Sequence, residues 1–177
     1  MTEKYEQTVS WCKRLKLGEP FVEAVRGKKS DRRDFLIELI EGEIGRRDAL
    51  AISRNIKAAN FPELKTLADF DFAEVQAPTS VAMPYFTECV FVEDRYNLFL
   101  YGKPGTGKTH LAIALGIEAC RMRKKVAFWR MPELIQKLRV AAASEDTKFF
   151  KRLSKLDLII IDEFGLSPPR SGHHPSF

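Results

Sequence analysis

The sequence predicts an α/β fold in two parts: a small all-α module, then a parallel sheet with helices packed on it. Three observations point there. Residues 1–60 read as helical and strongly charged. From Asn97 onward, short aliphatic runs alternate with helical patterns, the order that builds a parallel sheet. A glycine-rich loop of eight residues, Gly102–Thr109, sits between the first of those runs and the helix after it.

Taken in order, the first element with clear signals starts at Ser30-Asp31, with Asp31 and Asp34 placing acid in a first helical turn. Leu36, Ile40 and Ile44 follow at every fourth residue, with Phe35 and Leu39 alongside, so one apolar stripe is expected. Arg32, Arg33, Arg46, Arg47, Arg54 and Lys57 are interleaved with Glu38, Glu41 and Glu43. Such a face is either solvated and salt-bridged or a surface that docks a partner or nucleic acid. Asn60-Phe61-Pro62 ends the helical pattern. A linker from Lys65 to Pro84 follows, with Phe70 and Phe72 in it, and the domain boundary is expected near residues 60–68.

Leu98–Tyr101 reads as a strand. A helix is expected from Gly107 to about Met122, with Ala112, Ala114, Gly116 and Ala119 small enough for close packing on a sheet. Val126–Trp129 is a second strand. Pro132 suits the first turn of the next helix, whose core face is Leu134, Ile135 and Leu138. Ser144-Glu145-Asp146 opens another helix, anchored by Phe149, Phe150 and Leu153. Leu158–Ile161 is a third strand, aliphatic throughout, as expected when both faces are covered.

A chain of 177 residues that is 45% hydrophobic and 30% charged can bury a real core. Its net charge of +5 favours anionic partners such as nucleic acid. Cys12, Cys89 and Cys120 are odd in number and form no CxxC pair, which predicts reduced thiols in a cytoplasmic protein. No zinc site is expected, because His110, His173 and His174 stand at no ligand spacing from a cysteine. The polar N-terminus and the shortness of the aliphatic runs predict no signal core and no membrane span.

Gly102-Lys103-Pro104-Gly105-Thr106-Gly107-Lys108-Thr109 matches G-x-x-x-x-G-K-[ST], the P-loop. Glycines let such a backbone wrap a phosphate, and the helix N-terminus behind it attracts the anion. Lys108 is expected to reach the β- and γ-phosphates of a nucleoside triphosphate, and Thr109 to place its hydroxyl on Mg²⁺. Leu158–Ile161 runs into Asp162-Glu163, the pattern of a Walker B strand. There Asp162 would hold the magnesium and Glu163 would act as general base. His110 is grouped with the cofactor-binding loop, packing in the helix's first turn rather than doing chemistry. Phe70 and Phe72 either border the adenine or pack structurally, Trp129 and Arg130 end a strand, and His173-His174 lies in a polar tail.

The chain resembles the IstB-like ATPases, helpers of insertion-sequence transposases, and the related DnaC-like helicase loaders, both of the AAA+ class. The resemblance rests on IKAANFPELKTLADFDF at 56–72, NLFLYGKPGTGKTHLAIALGIEACRMRKKVAFWR at 97–130 and LDLIIIDEFGLSP at 156–168. It implies a helical module over residues 1–65 that engages a transposase, or a replicative helicase in the loader reading. It also implies an ATPase domain over 66–168 that uses ATP and Mg²⁺ and assembles as a homo-oligomer on double-stranded DNA. Lys108 and Thr109 then take the Walker A roles, and Asp162 and Glu163 the Walker B roles, with Glu163 and Lys108 the catalytic pair. Two departures stand out. Pro84 falls where the family pattern has a helix, and residues 169–177 form an aberrant tail without family likeness. The tail predicts a C-terminally truncated member lacking the sensor strand and the arginine finger. Such a chain would leave strands 98–101 and 158–161 without a shared neighbour, fold marginally and hydrolyse ATP slowly, since the finger alone is worth about 10³–10⁵ in rate. A reading of another class is a non-enzymatic interaction fragment whose helical module alone binds a protein or DNA.

Overall fold

The computed structural model describes residues 2–27, 31–73, 75–77 and 81–164. The chain divides into two compact units, Met1–Ser53 and Arg54–Phe177. Three helices make up the first, α1 (Thr2–Leu15), α2 (Glu19–Arg26) and α3 (Asp31–Ala59), the last of which continues into the second unit. Ser30, the expected helix start, lies outside the described residues. Val9 and Cys12 of α1, Val22 and Val25 of α2, and Ile37, Ile40 and Ile44 of α3 form the core of this unit. The expected apolar stripe is therefore corrected. Ile40 and Ile44 are buried and Leu36 half-buried, but Ile37 completes the buried row. Phe35 and Leu39 are 61% and 55% exposed on the other side of α3. A helix row that passes through 37, 40 and 44 has no room on the same face for 35 and 39.

Charged side chains of α3 are engaged in ion pairs, among them Arg46 and Arg47. Arg46 and Arg47 reach the Glu43 carboxylate at 2.8 and 2.7 Å, and their hydrogen bonds hold that carboxyl down at about 2. Lys4 pairs with Glu41 at 3.1 Å, and Arg14 with Asp48. These exposed pairs favour helix solubility and add little to stability.

In the second unit a 3₁₀ turn (Leu67–Asp69) precedes two short helices, α4 (Met83–Thr87) and α5 (Val90–Glu93). Pro84 does not interrupt a helix: it sits in the first turn of α4, where its missing N–H is no loss. The break falls instead at Cys89, whose φ of 54° separates α4 from α5. Then come α6 (Lys108–Arg121), β1 (Val126–Arg130), α7 (Met131–Ala143), α8 (Thr147–Leu153) and β2 (Leu158–Asp162). Asp146 caps α8, its carboxylate accepting from the amides of Lys148 and Phe149. Among the described residues no helix is long and apolar enough to cross a membrane.

The strands β1 and β2 pair in parallel, from Val126 opposite Leu158 to Arg130 opposite Asp162. Just before them, the Asp157 amide donates to the Lys125 carbonyl at 2.8 Å, and the Lys125 amide to the Asp157 carboxylate at 2.7 Å. One face of this sheet packs on α6. Val126, Phe128, Leu158 and Ile160 meet Ile113, Ile117, Ala119 and Cys120 there, with Ile56 and Phe61 alongside. On the opposite face Trp129 lies edge-on to Phe149 of α8.

Three expectations about this unit are corrected. Leu98–Tyr101 forms no strand: among the described residues the sheet holds β1 and β2 alone. Leu98 packs on the α6 core while Phe99 and Tyr101 are 77% and 92% exposed. Strand β2 is not covered on both faces: Leu158 and Ile160 turn inward, and Ile159 and Ile161 are exposed. Ile135 and Phe150 also face outward, leaving Leu134, Ala141 and Phe149 as the buried anchors of α7 and α8.

Two helical glycines respond oppositely to a methyl group. At Gly42 of α3 a Cβ would meet nothing within 4 Å. At Gly116 of α6 it would lie 2.6 Å from Ile160 Cδ1 and 2.8 Å from Phe61 Cε1. Gly42→Ala is expected to stabilise by about 0.5–1 kcal/mol through helix propensity. Gly116→Ala is expected to destabilise, since overpacking of about 1–3 kcal/mol exceeds the same propensity gain. Urea unfolding followed by circular dichroism checks both signs.

Candidate functional site

The loop Gly102–Thr109 joins the segment 98–101 to the first turn of α6. Its three glycines have φ of 151°, 80° and 79°, values that side chains carrying a Cβ rarely adopt. Gly107 is the N-cap of α6, and no side chain caps the helix. The first-turn amides thus have no side-chain acceptor and offer the donors and positive dipole end that favour an anion. Lys108 folds over the loop, its Nζ donating to the carbonyls of Gly102 at 3.0 Å and Lys103 at 2.7 Å. Thr106 Oγ1 donates to the Lys103 carbonyl at 2.9 Å. Residues Gly102 to Thr106, with Lys103, Pro104 and Gly105 between them, are exposed, while Gly107 to His110 are half-buried.

The parallel register of β2 against β1, with α6 packed across both, carries the first turn of α6 to the carboxyl end of β2. There Thr109 Oγ1 stands 3.0 and 3.2 Å from the two carboxylate oxygens of Asp162, a hydroxyl donating to an acid 53 residues away in the chain. Hydroxyl and carboxylate together make a pair of hard oxygen ligands suited to a magnesium ion. Glu163 follows in the left-handed region, φ 57°, which turns the chain sharply as the strand ends. Its carboxylate is exposed and lies 3.9 Å from Nε of Arg130, the last residue of β1. The pairing of Arg130 with Glu163 was not read from the sequence. The signal lay in the register, since Arg130 is opposite Asp162 and both chains leave the sheet at the same end.

His110 does pack in the first turn of α6, but not by itself. Its Nε2 is 3.1 Å from the Thr66 carbonyl, and its ring meets Phe70 edge-on at 5.3 Å. Phe70 in turn contacts Phe72 at 4.9 Å. A Cβ at Gly107 would lie 2.9 Å from Phe70 Cε2, so this ring closes directly on the loop's last glycine. The segment from Thr66 to Phe72 is therefore part of the loop's surroundings, which spacing alone did not reveal. Trp129 is elsewhere, against Phe149, and His173-His174 lies outside the described residues.

The family profile described as IstB-like ATP binding protein matches residues 19–173, most of the chain. The chain belongs to the IstB-like ATP binding protein family. Among curated IstB-like relatives it is 34% identical over 146 residues to the "Insertion sequence IS5376 putative ATP-binding protein" of Geobacillus stearothermophilus, covering 80% of this chain and 57% of that protein. It is 32% identical over 153 residues to the IS21 protein of the same description from Pseudomonas aeruginosa, covering 85% of this chain and 57% of that one. An IS21-like protein of Bacteroides fragilis is 27% identical over 173 residues, 93% of this chain and 87% of the relative. The chain thus spans little more than half the length of the first two IstB-like relatives.

The surroundings of two loop glycines separate backbone strain from crowding. Gly105 and Gly107 share the left-handed conformation, but only Gly107 has a neighbour in the path of a Cβ. Gly105→Ala is expected to cost about 1–2 kcal/mol from φ alone. Gly107→Ala adds the displacement of Phe70 and is expected to cost roughly 1 kcal/mol more. Paired urea titrations measure the difference, and equal losses would mean that Phe70 yields freely.

Proposed function

We propose that this chain binds ATP with Mg²⁺ at Gly102–Thr109 and acts as a helper in DNA transposition. The observation that carries the reading is the hydrogen bond from Thr109 to Asp162, which sets an uncapped phosphate-binding helix start against an acidic strand end. Lys103, Pro104, Gly105, Thr106 and Gly107 would present backbone to the phosphates, as Gly102 opens the loop. Lys108, now donating to loop carbonyls, would exchange them for the β- and γ-phosphate oxygens. Thr109 and Asp162 would hold the magnesium, which when bound neutralises charge on those phosphates. Glu163 would accept a proton from the attacking water as general base. Its ion pair with Arg130 is loose enough at 3.9 Å to be given up as water approaches.

Family membership and the insertion-sequence relatives support the wider reading, in which a transposase is the protein partner and double-stranded DNA the nucleic acid. The net charge of +5 supports an anionic partner. Self-association on DNA is part of the same proposal.

Thermal unfolding of the whole chain with and without Mg²⁺–ATP tests the site. At about 100 times its dissociation constant the ligand should stabilise by about 2.7 kcal/mol. Lys108→Ala should remove the shift. Glu163→Gln should keep it while lowering phosphate release, by about 10²–10⁴-fold if Glu163 is the base. Absence of any shift in the unsubstituted chain would overturn ATP binding here.

A further inference from the structure

A closed set of contacts joins the segment ahead of the loop to the loop itself. Thr66 gives its carbonyl to His110, and a carbonyl only accepts, so His110 Nε2 carries the proton. The His110 ring meets Phe70, and Phe70 lies over Gly107 where only the missing Cβ leaves space. Phe72 meets Phe70 edge-on, ring centroids 4.9 Å apart. Gly107 is the hinge of the site, because it sets the direction in which the first-turn amides of α6 point. A glycine with φ of 79° and no neighbour would sample many orientations, and each would dilute the binding-competent one.

We propose that residues 66–72 form a strap that pre-organises the phosphate loop, with His110 and Phe70 as positioning residues that act through Gly107. The proposal rests on the reading of Gly102–Thr109 as the nucleotide site. The strap acts on the loop and not on the base, so its loss weakens any triphosphate, with or without a nucleoside.

The test measures binding of Mg²⁺–ATP and of Mg²⁺–tripolyphosphate to the full chain by calorimetry, well below the melting temperature. His110→Ala and Phe70→Leu should weaken both probes alike, by roughly three- to tenfold, the worth of one lost anchoring contact. His110→Gln, whose amide nitrogen can donate from the same reach, should restore both affinities. If His110→Ala does not fold, Phe70→Leu alone decides. Lower melting temperatures with unchanged affinities would reduce the strap to a structural contact and overturn the proposal. Weaker ATP binding with tripolyphosphate unaffected would also overturn it, because the strap would then be touching the base. Failure of the unsubstituted chain to bind either probe would instead remove the nucleotide reading itself, and the strap proposal with it.

Discussion

How closely α6 approaches β2 governs the second unit. Gly116 is a point of close contact, with Ile160 and Phe61 lying where any larger residue would place its side chain. That approach lets Ile113, Ile117, Ala119 and Cys120 share cores with Val126, Phe128 and Ile160. It also sets the geometry of the candidate site. The helix is rigid, so its spacing from β2 at Gly116 carries through two turns to Thr109 and brings the hydroxyl within 3.0 Å of Asp162. The packing of small residues and the pairing of site residues are one constraint seen at two heights along the same helix.

The same unit is lopsided in what it covers. Burial is concentrated on the α6 face of the sheet, where α6 alone contributes Leu111, Ile113, Ala114, Leu115, Ile117, Ala119 and Cys120. The thiols of Cys89 and Cys120 are deep enough there for burial to push both up to about 11, so they stay protonated and act as small apolar groups. The opposite face of β2 is thinner, with Ile159 and Ile161 exposed; Phe99 and Tyr101 are exposed too, and Leu98–Tyr101 joins no ladder among the described residues. A strand is defined by its neighbour, so a four-residue apolar run without one is not a strand. The Gly102–Thr109 loop follows this segment and meets the α6 side and residues Thr66–Phe72, through the His110–Thr66 contact and Phe70 at Gly107.

Much of this was legible in the residues. The loop, the helix behind it, the two paired strands and the helices that start near Pro132 and Asp146 follow from motifs and periodicity, and α6, β1 and β2 stand within about one residue of their expected ends. Several helices end without a glycine, for a physical reason. Helices α1, α5, α6 and α7 stop with a residue in the left-handed region, and those residues are Lys16, Arg95, Arg123 and Glu145, not glycine. In each, the next amide reaches back five residues, as Leu17 does to Cys12 and Lys124 to Ala119 at 2.9 and 3.0 Å. The backbone bond, not the residue type, makes the stop. The α3 stripe was misread for a related reason: Phe35 and Leu39 are as apolar as Ile37 and Ile40, and only the positions of α1 and α2 select between the two rows.

By itself the sequence determined what depends on neighbours along the chain: glycines where the backbone needs positive φ, a lysine and a threonine at a helix start, an acidic pair after aliphatic residues. Tertiary structure decided what depends on distance through space. It placed Thr109 on Asp162, Arg130 by Glu163, and Phe70 over Gly107, and it left Leu98–Tyr101 unpaired. Local preference is written in residue type and spacing, whereas a contact across 53 residues exists only once a helix and a sheet have packed and their separation is set.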